Sequence, residues 1–174
     1  GEDMPSQRLA GHHSTITGVT WSPSGRHLAS VSRGRVGGEL FIWDLPHGKL
    51  IQTLAPQPGI VNTVTWSSNE EIVISGASDG MLSWWNVQSG TCLLSRQAHQ
   101  GTIRGLRRSP DGTKLASCGD DGAIMLWDTS SGEHLQTLRR DRPYERLNIT
   151  GIRGLTEAQK EMLRALGAIE NPQA

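Results

Sequence analysis

The sequence predicts an all-β fold built from a repeated four-stranded antiparallel unit, with one short α-helix near its C-terminal end. Three observations predict it. The phrase Leu40-Phe41-Ile42-Trp43-Asp44 returns as Leu82-Ser83-Trp84-Trp85-Asn86 and as Ile124-Met125-Leu126-Trp127-Asp128, so that Trp43, Trp85 and Trp127 recur every 42 residues. Ser30, Ser75 and Ser117 each lie 9 residues beyond Trp21, Trp66 and Arg108. Alternating apolar runs are separated by turn signals such as Ser22-Pro23-Ser24-Gly25, Asp79-Gly80 and Pro110-Asp111-Gly112, where Pro presets φ and Gly takes a positive φ. A fixed period of this size with four strands per unit marks the blades of a propeller, here a partial β-propeller with three full blades.

The elements follow in order. Residues 1–10 are read as the outer strand of an incomplete preceding blade, carried by Ser6 to Ala10. Residues 11–140 hold the three blades. In the first, strands are expected at Ile16 to Trp21, His27 to Ser32, Glu39 to Asp44 and Lys49 to Leu54. Its middle hairpin is longer, because Ser30 to Trp43 spans 13 positions against 10 for Ser75 to Trp85 and Ser117 to Trp127. Loop entropy grows only logarithmically, so the insertion costs little. The second blade reads Ile60 to Trp66, Glu71 to Ala77, Met81 to Val87 and Thr91 to Gln97. The third reads Thr102 to Arg108, Lys114 to Cys118, Ala123 to Thr129 and His134 to Arg139. Residues 141–174 hold a partial strand and the helix. Leu147 to Ile152 echoes Ile16-Thr17-Gly18-Val19 and predicts one more inner strand. Thr156 with Gln159 forms a capping box, Ala158, Met162, Leu163 and Leu166 form an apolar stripe, and Gly167 is the stop signal.

The formal net charge is zero, so no long-range field argues for nucleic acid or an anionic membrane as partner. No apolar run reaches the ~18 residues of a membrane span, and no leader pattern opens the chain. Together these predict a cytoplasmic protein. Cys92 and Cys118 fall on predicted strands outside any Cys-x-x-Cys pair, and are expected to be reduced core thiols. The six histidines match no metal-ligand spacing. Asp120-Asp121-Gly122 opens like a calcium loop but lacks the later ligands, and reads as a hairpin turn. There is no nucleophile elbow and no phosphate loop, so no catalytic residue and no cofactor is assigned.

Gly11-His12 ahead of an inner strand, Ser-Pro-x-Gly after it, Leu-Ala-Ser, Asp-Gly and a terminal Trp-Asp resemble the WD-repeat β-propeller family over residues 9–138. That resemblance implies a hydrogen-bond chain of His, Ser or Thr, Asp and Trp in each blade. The third blade matches it with His99, Ser117, Asp121 and Trp127. The second keeps Ser75, Asp79 and Trp85 but has Gln57 in place of the His. The first keeps His12, Ser30 and Trp43 but has no Asp in its enlarged loop, so both are expected to be less rigid. Arg108 replaces the aromatic of Trp21 and Trp66, which predicts an exposed or differently paired edge.

The resemblance also implies a protein or peptide partner on the narrow rim where the inner strands begin. Residue by residue, that rim is Thr15, Thr17, Ile60, Asn62, Ser78, Thr102, Arg104 and Asp120. Arg104, Arg107 and Arg108, with Arg139, Arg140 and Arg142, form a cluster suited to an anionic peptide or phosphate. Three blades do not close a ring; earlier blades, a partner chain or a second copy would complete it. The expected function is a non-catalytic protein-interaction or sensing scaffold. The tail resembles the carboxyl end of some bacterial multidomain signalling proteins, which implies the recognition part of a larger signalling protein. The competing readings are an architectural oligomerisation module and a propeller enzyme with an unrecognised site.

Overall fold

The computed structural model describes residues 8–34, 37–139, 144 and 147–170. Three sheets of four antiparallel strands run up and down in chain order. The first blade is β1 (Ile16–Trp21), β2 (His27–Ser32), β3 (Gly38–Asp44) and β4 (Lys49–Gln57). The second is β5 (Val61–Trp66), β6 (Ile72–Ala77), β7 (Met81–Asn86) and β8 (Cys92–Gln97). The third is β9 (Ile103–Arg108), β10 (Lys114–Gly119), β11 (Ala123–Asp128) and β12 (His134–Arg139). Each expected strand of the three blades is present, three of them with the expected bounds and the other nine with one end shifted by one to three residues.

Turn chemistry sets the hairpins. Gly25 and Gly112 close the first turns of blades 1 and 3 at φ +73° and +76°, a region that favours glycine. Glu70 occupies the same position in blade 2 and takes φ +61° despite its Cβ. A non-glycine residue there is strained by about 1–2 kcal/mol. The turn holds because the Glu70 carboxylate is engaged across the blade boundary: it accepts from the Ser24 backbone N–H and, at 3.1 Å, from the Ser24 hydroxyl.

The apolar residues meet between sheets rather than inside any one of them. Ala29, Val31, Leu40, Ile42 and Leu54 of blade 1 pack on Val61, Val64, Trp66, Val73 and Trp85 of blade 2. Ile74, Leu82 and Trp84 of blade 2 pack in the same way on Ile103, Leu106, Leu115 and Trp127 of blade 3. Two indoles tie the junctions together: Trp66 donates to the Thr20 carbonyl at 3.3 Å and Trp84 to the Thr129 carbonyl at 2.9 Å. Blade 1 therefore leaves one face bare. Ile16, Val19 and Trp21 are 52%, 60% and 63% exposed, whereas their counterparts Val61, Val64 and Trp66 are 0%, 6% and 2% exposed. On the far face of blade 3, Ile124 and Leu138 are exposed where Leu40 and Leu54 are buried.

Both cysteines depart from expectation, since Cys92 and Cys118 are exposed free thiols and not core residues. Cys92 lies on β8, the outermost strand of its sheet. Cys118 takes the place of Val31 and Gly76, which are covered only because another blade follows theirs.

Residues 139–174 form a second compact unit. Helix α1 (Glu157–Ala165) starts at the N-cap Thr156 with the expected capping box, and Gly167 follows it at φ +105°. Leu147 to Ile152 does not form an inner strand. Its only pairing among the described residues is a parallel bridge, Asn148 to Ile169, through Ile149 N–H to the Ile169 carbonyl and Ile169 N–H to the Leu147 carbonyl. A local partner just beyond the helix meets those backbone groups. Of the expected first outer strand, residues 1–7 lie outside the described residues, and Arg8, Leu9 and Ala10 take no strand conformation.

Candidate functional site

The rim is built from the loops that precede each inner strand and the turns that join strands two and three. Beneath it in blade 3 lies a connected polar chain. The Trp127 indole donates to Ser117 Oγ at 3.0 Å, Ser117 Oγ meets His99 Nε2 at 2.8 Å, and His99 Nδ1 lies 2.9 Å from Asp121 Oδ1. His99 and Ser117 are buried, where each polar group needs a partner. Asp121 also accepts from the Ala123 and Gln100 N–H groups. Burial opposes its ionisation, but these bonds with that from His99 outweigh it and hold the carboxyl below its usual range.

Blade 1 carries the same chain with a different acid. Trp43 donates to Ser30 Oγ at 2.7 Å, and Ser30 Oγ lies 2.6 Å from His12 Nε2. His12 Nδ1 meets Glu39 Oε2 at 3.1 Å, and Ser32 donates to the same oxygen at 2.7 Å. The expected gap in this blade is thus filled by Glu39, which β3 places directly across from Ser32. Burial of Glu39 is again outweighed, by the bonds from Ser32 and His12, and its carboxyl stays below the usual range. In blade 2 the Trp85 indole donates to Ser75 Oγ at 2.9 Å. Asp79 is exposed and caps its own turn by accepting from Met81 N–H at 3.0 Å. The side chain of Gln57 lies outside the described residues.

The eight rim positions divide into three groups. Thr17 donates to the Val61 carbonyl, Thr102 to the Ser78 carbonyl, and the Ile60 N–H to Ser78 Oγ, so these side chains and turns link or brace blades. Asn62 buries its amide nitrogen with no hydrogen-bond partner. Thr15, Arg104 and Asp120 are exposed. Arg104 is not a bare cation: Nε lies 2.7 Å from Asp120 Oδ1 and Nη2 3.0 Å from Oδ2. That paired bond lowers the Asp120 pKa and raises that of Arg104. Arg108 has turned to the neighbouring blade and donates to Ser68 Oγ at 2.5 Å, the alternative pairing expected where the aromatic is missing. Arg140 and Arg142 lie outside the described residues.

At the opposite rim, Asp128 ends its strand as a turn cap. It accepts from the backbone N–H and hydroxyl groups of Ser131 and Ser130, which hold its carboxyl at about 2. Sequence reasoning missed Glu39, Glu70 and the Arg104–Asp120 pair. Only an acid placed opposite Ser32 at the start of β3 signalled the first of these.

Three stacked antiparallel blades, each closed at a tryptophan over a buried serine, define a propeller of the repeat type. The family model for "WD domain, G-beta repeat" matches residues 4–44, 48–86 and 90–128, and the chain belongs to the WD40 repeat family. Proteins of this family typically serve as protein-interaction scaffolds and are generally non-enzymatic. The chain is 37% identical over 120 residues to Periodic tryptophan protein 2 of Saccharomyces cerevisiae, covering 68% of this chain and 13% of that protein. It is 27% identical over 100 residues to the 66 kDa stress protein of Physarum polycephalum, covering 56% of this chain and 16% of that one. It is 26% identical over 107 residues to Eukaryotic translation initiation factor 3 subunit I of Pyricularia oryzae, covering 62% and 30%. The chain thus spans less than a third of the length of these relatives. Among solved structures, those titled "Structure of U3-55K" and "Crystal structure of RRP9 WD40 repeats" each superpose with a TM-score of 0.68 at 20% identity, over 76% of this chain and 41% of theirs; they share the fold. No helix among the described residues is long and apolar enough to cross a membrane.

Proposed function

We propose that this chain is the recognition part of a larger WD-repeat array: its rim engages a protein or peptide partner, and its end faces take further blades. The observation that carries the reading is the bare face of β1, whose apolar positions match those buried at the next junction. A blade presenting aliphatic residues as Ala29, Val31, Leu40 and Ile42 do is the occupant that fits. The far face of blade 3 offers that type of surface, so a second copy meets the first head to tail. Two such contacts give a ring of six, within the range of about four to eight blades that propellers use. The longer relatives support the same need being met by further repeats. A signalling role rests on the resemblance of the tail alone.

The rim reading is tested by affinity capture with the 174-residue chain. Ile60→Asp and Arg104→Glu, both near the rim surface, are expected to remove the same bound proteins while leaving the thermal melt in place. An unchanged set of bound proteins from both variants dismisses the rim.

A further inference from the structure

The three inner strands β1, β5 and β9 line an open cavity of about 460 Å³. Each is the terminal strand of its sheet, so one edge of each lacks a sheet neighbour for its backbone N–H and C=O groups. The lining is polar and one-sided in charge. Arg104 and Arg107 reach it from β9, Asn62 and Thr65 from β5, and Thr20 from β1, with no carboxylate among the described lining residues. In blades 1 and 2 the places of Arg104 and Arg107 are taken by Thr17 and Asn62, and by Thr20 and Thr65, so the charge enters from one blade only.

Arg107 is the group left over. It is exposed, donates to the adjacent Leu106 carbonyl at 2.9 Å, and has no ion pair among the described residues. Most of its planar set of N–H donors is uncommitted. Arg104 is held in place by Asp120, which fixes its guanidinium beside the cavity. Asn62 adds a buried amide donor that the fold does not satisfy. The Arg107 guanidinium, the N–H groups that Arg104 keeps free of Asp120, an unpaired amide and threonine hydroxyls are the donor set that binds an oxyanion.

We propose that the inner-strand cavity is an oxyanion site, with Arg107 as its principal cation, and that it takes a phosphate or carboxylate carried by the protein partner. This deepens the scaffold reading and rests on it for the source of the anion. Phosphate and carboxylate share the required chemistry, and the test separates them.

Binding is measured by isothermal titration of the 174-residue chain with inorganic phosphate and with a short neutral peptide carrying one phosphoserine. The same peptide with glutamate and with unmodified serine at that position is run alongside. Saturable binding of phosphate is expected, with the phosphoserine or the glutamate peptide binding more tightly than phosphate and the serine peptide not binding. Arg107→Gln should weaken binding by about tenfold or more, as the loss of a charged hydrogen bond does, and Arg107→Lys should fall between. Arg108→Gln removes the same charge outside the cavity and should bind as wild type. Thermal melts of the wild type and the two Arg107 variants should coincide, since Arg107 links no blades; Arg108→Gln loses the bond to Ser68 and is titrated below the onset of its own melt. Absence of saturable binding, or equal weakening by Arg107→Gln and Arg108→Gln, overturns the site. If that happens while Ile60→Asp still removes captured partners, the scaffold reading stands and only the oxyanion site falls. If phosphate binds but no peptide binds more tightly, the partner as source of the anion is overturned.

Discussion

Blades 1 and 2 carry near-identical inner strands, yet Trp21 lies open to solvent and Trp66 is buried. The residues are the same kind, at the same register, on the same face. What differs is the presence of a preceding sheet. The lesson is that in a stacked repeat the pattern within one unit fixes which side chains face a junction, and only the neighbour decides whether they are buried. The polar chains make the converse point. Blades 1 and 3 both reach a buried His–Ser–Trp arrangement, but one draws its carboxylate from a strand and the other from a turn.

The largest effect sharpens the first contrast. Trp66→Ala removes a fully packed indole and should cost about 3–5 kcal/mol in chemical denaturation. Trp21→Ala should stay within about 0.5 kcal/mol when the 174-residue chain is kept dilute enough to be dissociated. Equal losses would break the comparison. Next in size, Ser117→Ala and Ser30→Ala each strip the acceptor from a buried indole and the partner from a histidine, and should each cost about 1–3 kcal/mol. A much smaller loss for Ser30→Ala would mean that Glu39 does not complete the first blade.

Acid supplies a further test of the two carboxylates. Glu39 and Asp121 are held below their usual pKa in the fold, so the unfolded chain binds protons first as pH falls. Their contribution is full above the unfolded carboxylate range, about pH 4, and is lost as pH drops through the lower folded values. Melting temperature followed from neutral pH to pH 3 should therefore fall on the acid side, and Glu39→Gln or Asp121→Asn should each flatten that fall. The smallest effect is at the strained turn. Glu70→Gly loses the bonds to Ser24 but relieves the positive φ, so the net change should be under about 1 kcal/mol. Glu70→Ala loses the bonds and keeps the strain, and should be the more destabilising of the two.

The twelve strands were legible because tryptophan period and serine spacing agree at every repeat and turn residues bound most of the runs between them. The helix was legible from Thr156 and Gln159. Glu39 was hidden because the three-residue insertion moved the acid from the turn, where the repeat puts it, onto the start of β3. Cys118 was misread for a different reason: its strand position is a junction position, and no sequence pattern within a blade says whether the next sheet covers it. Arg104 and Asp120 are 16 residues apart and meet only because β9 starts beside the turn between β10 and β11. The extra inner strand at Leu147 to Ile152 failed because motif similarity carries no hydrogen-bond partner; Ile169 supplies one instead.

Light scattering against concentration tests most directly the idea that the face bearing Ile16, Val19 and Trp21 exists to be covered. The account predicts that the 174-residue chain associates reversibly and that Trp21→Glu leaves a folded, dispersed species. A wild-type chain that stays folded and monomeric throughout, with Trp21→Glu indistinguishable from it, would contradict the account.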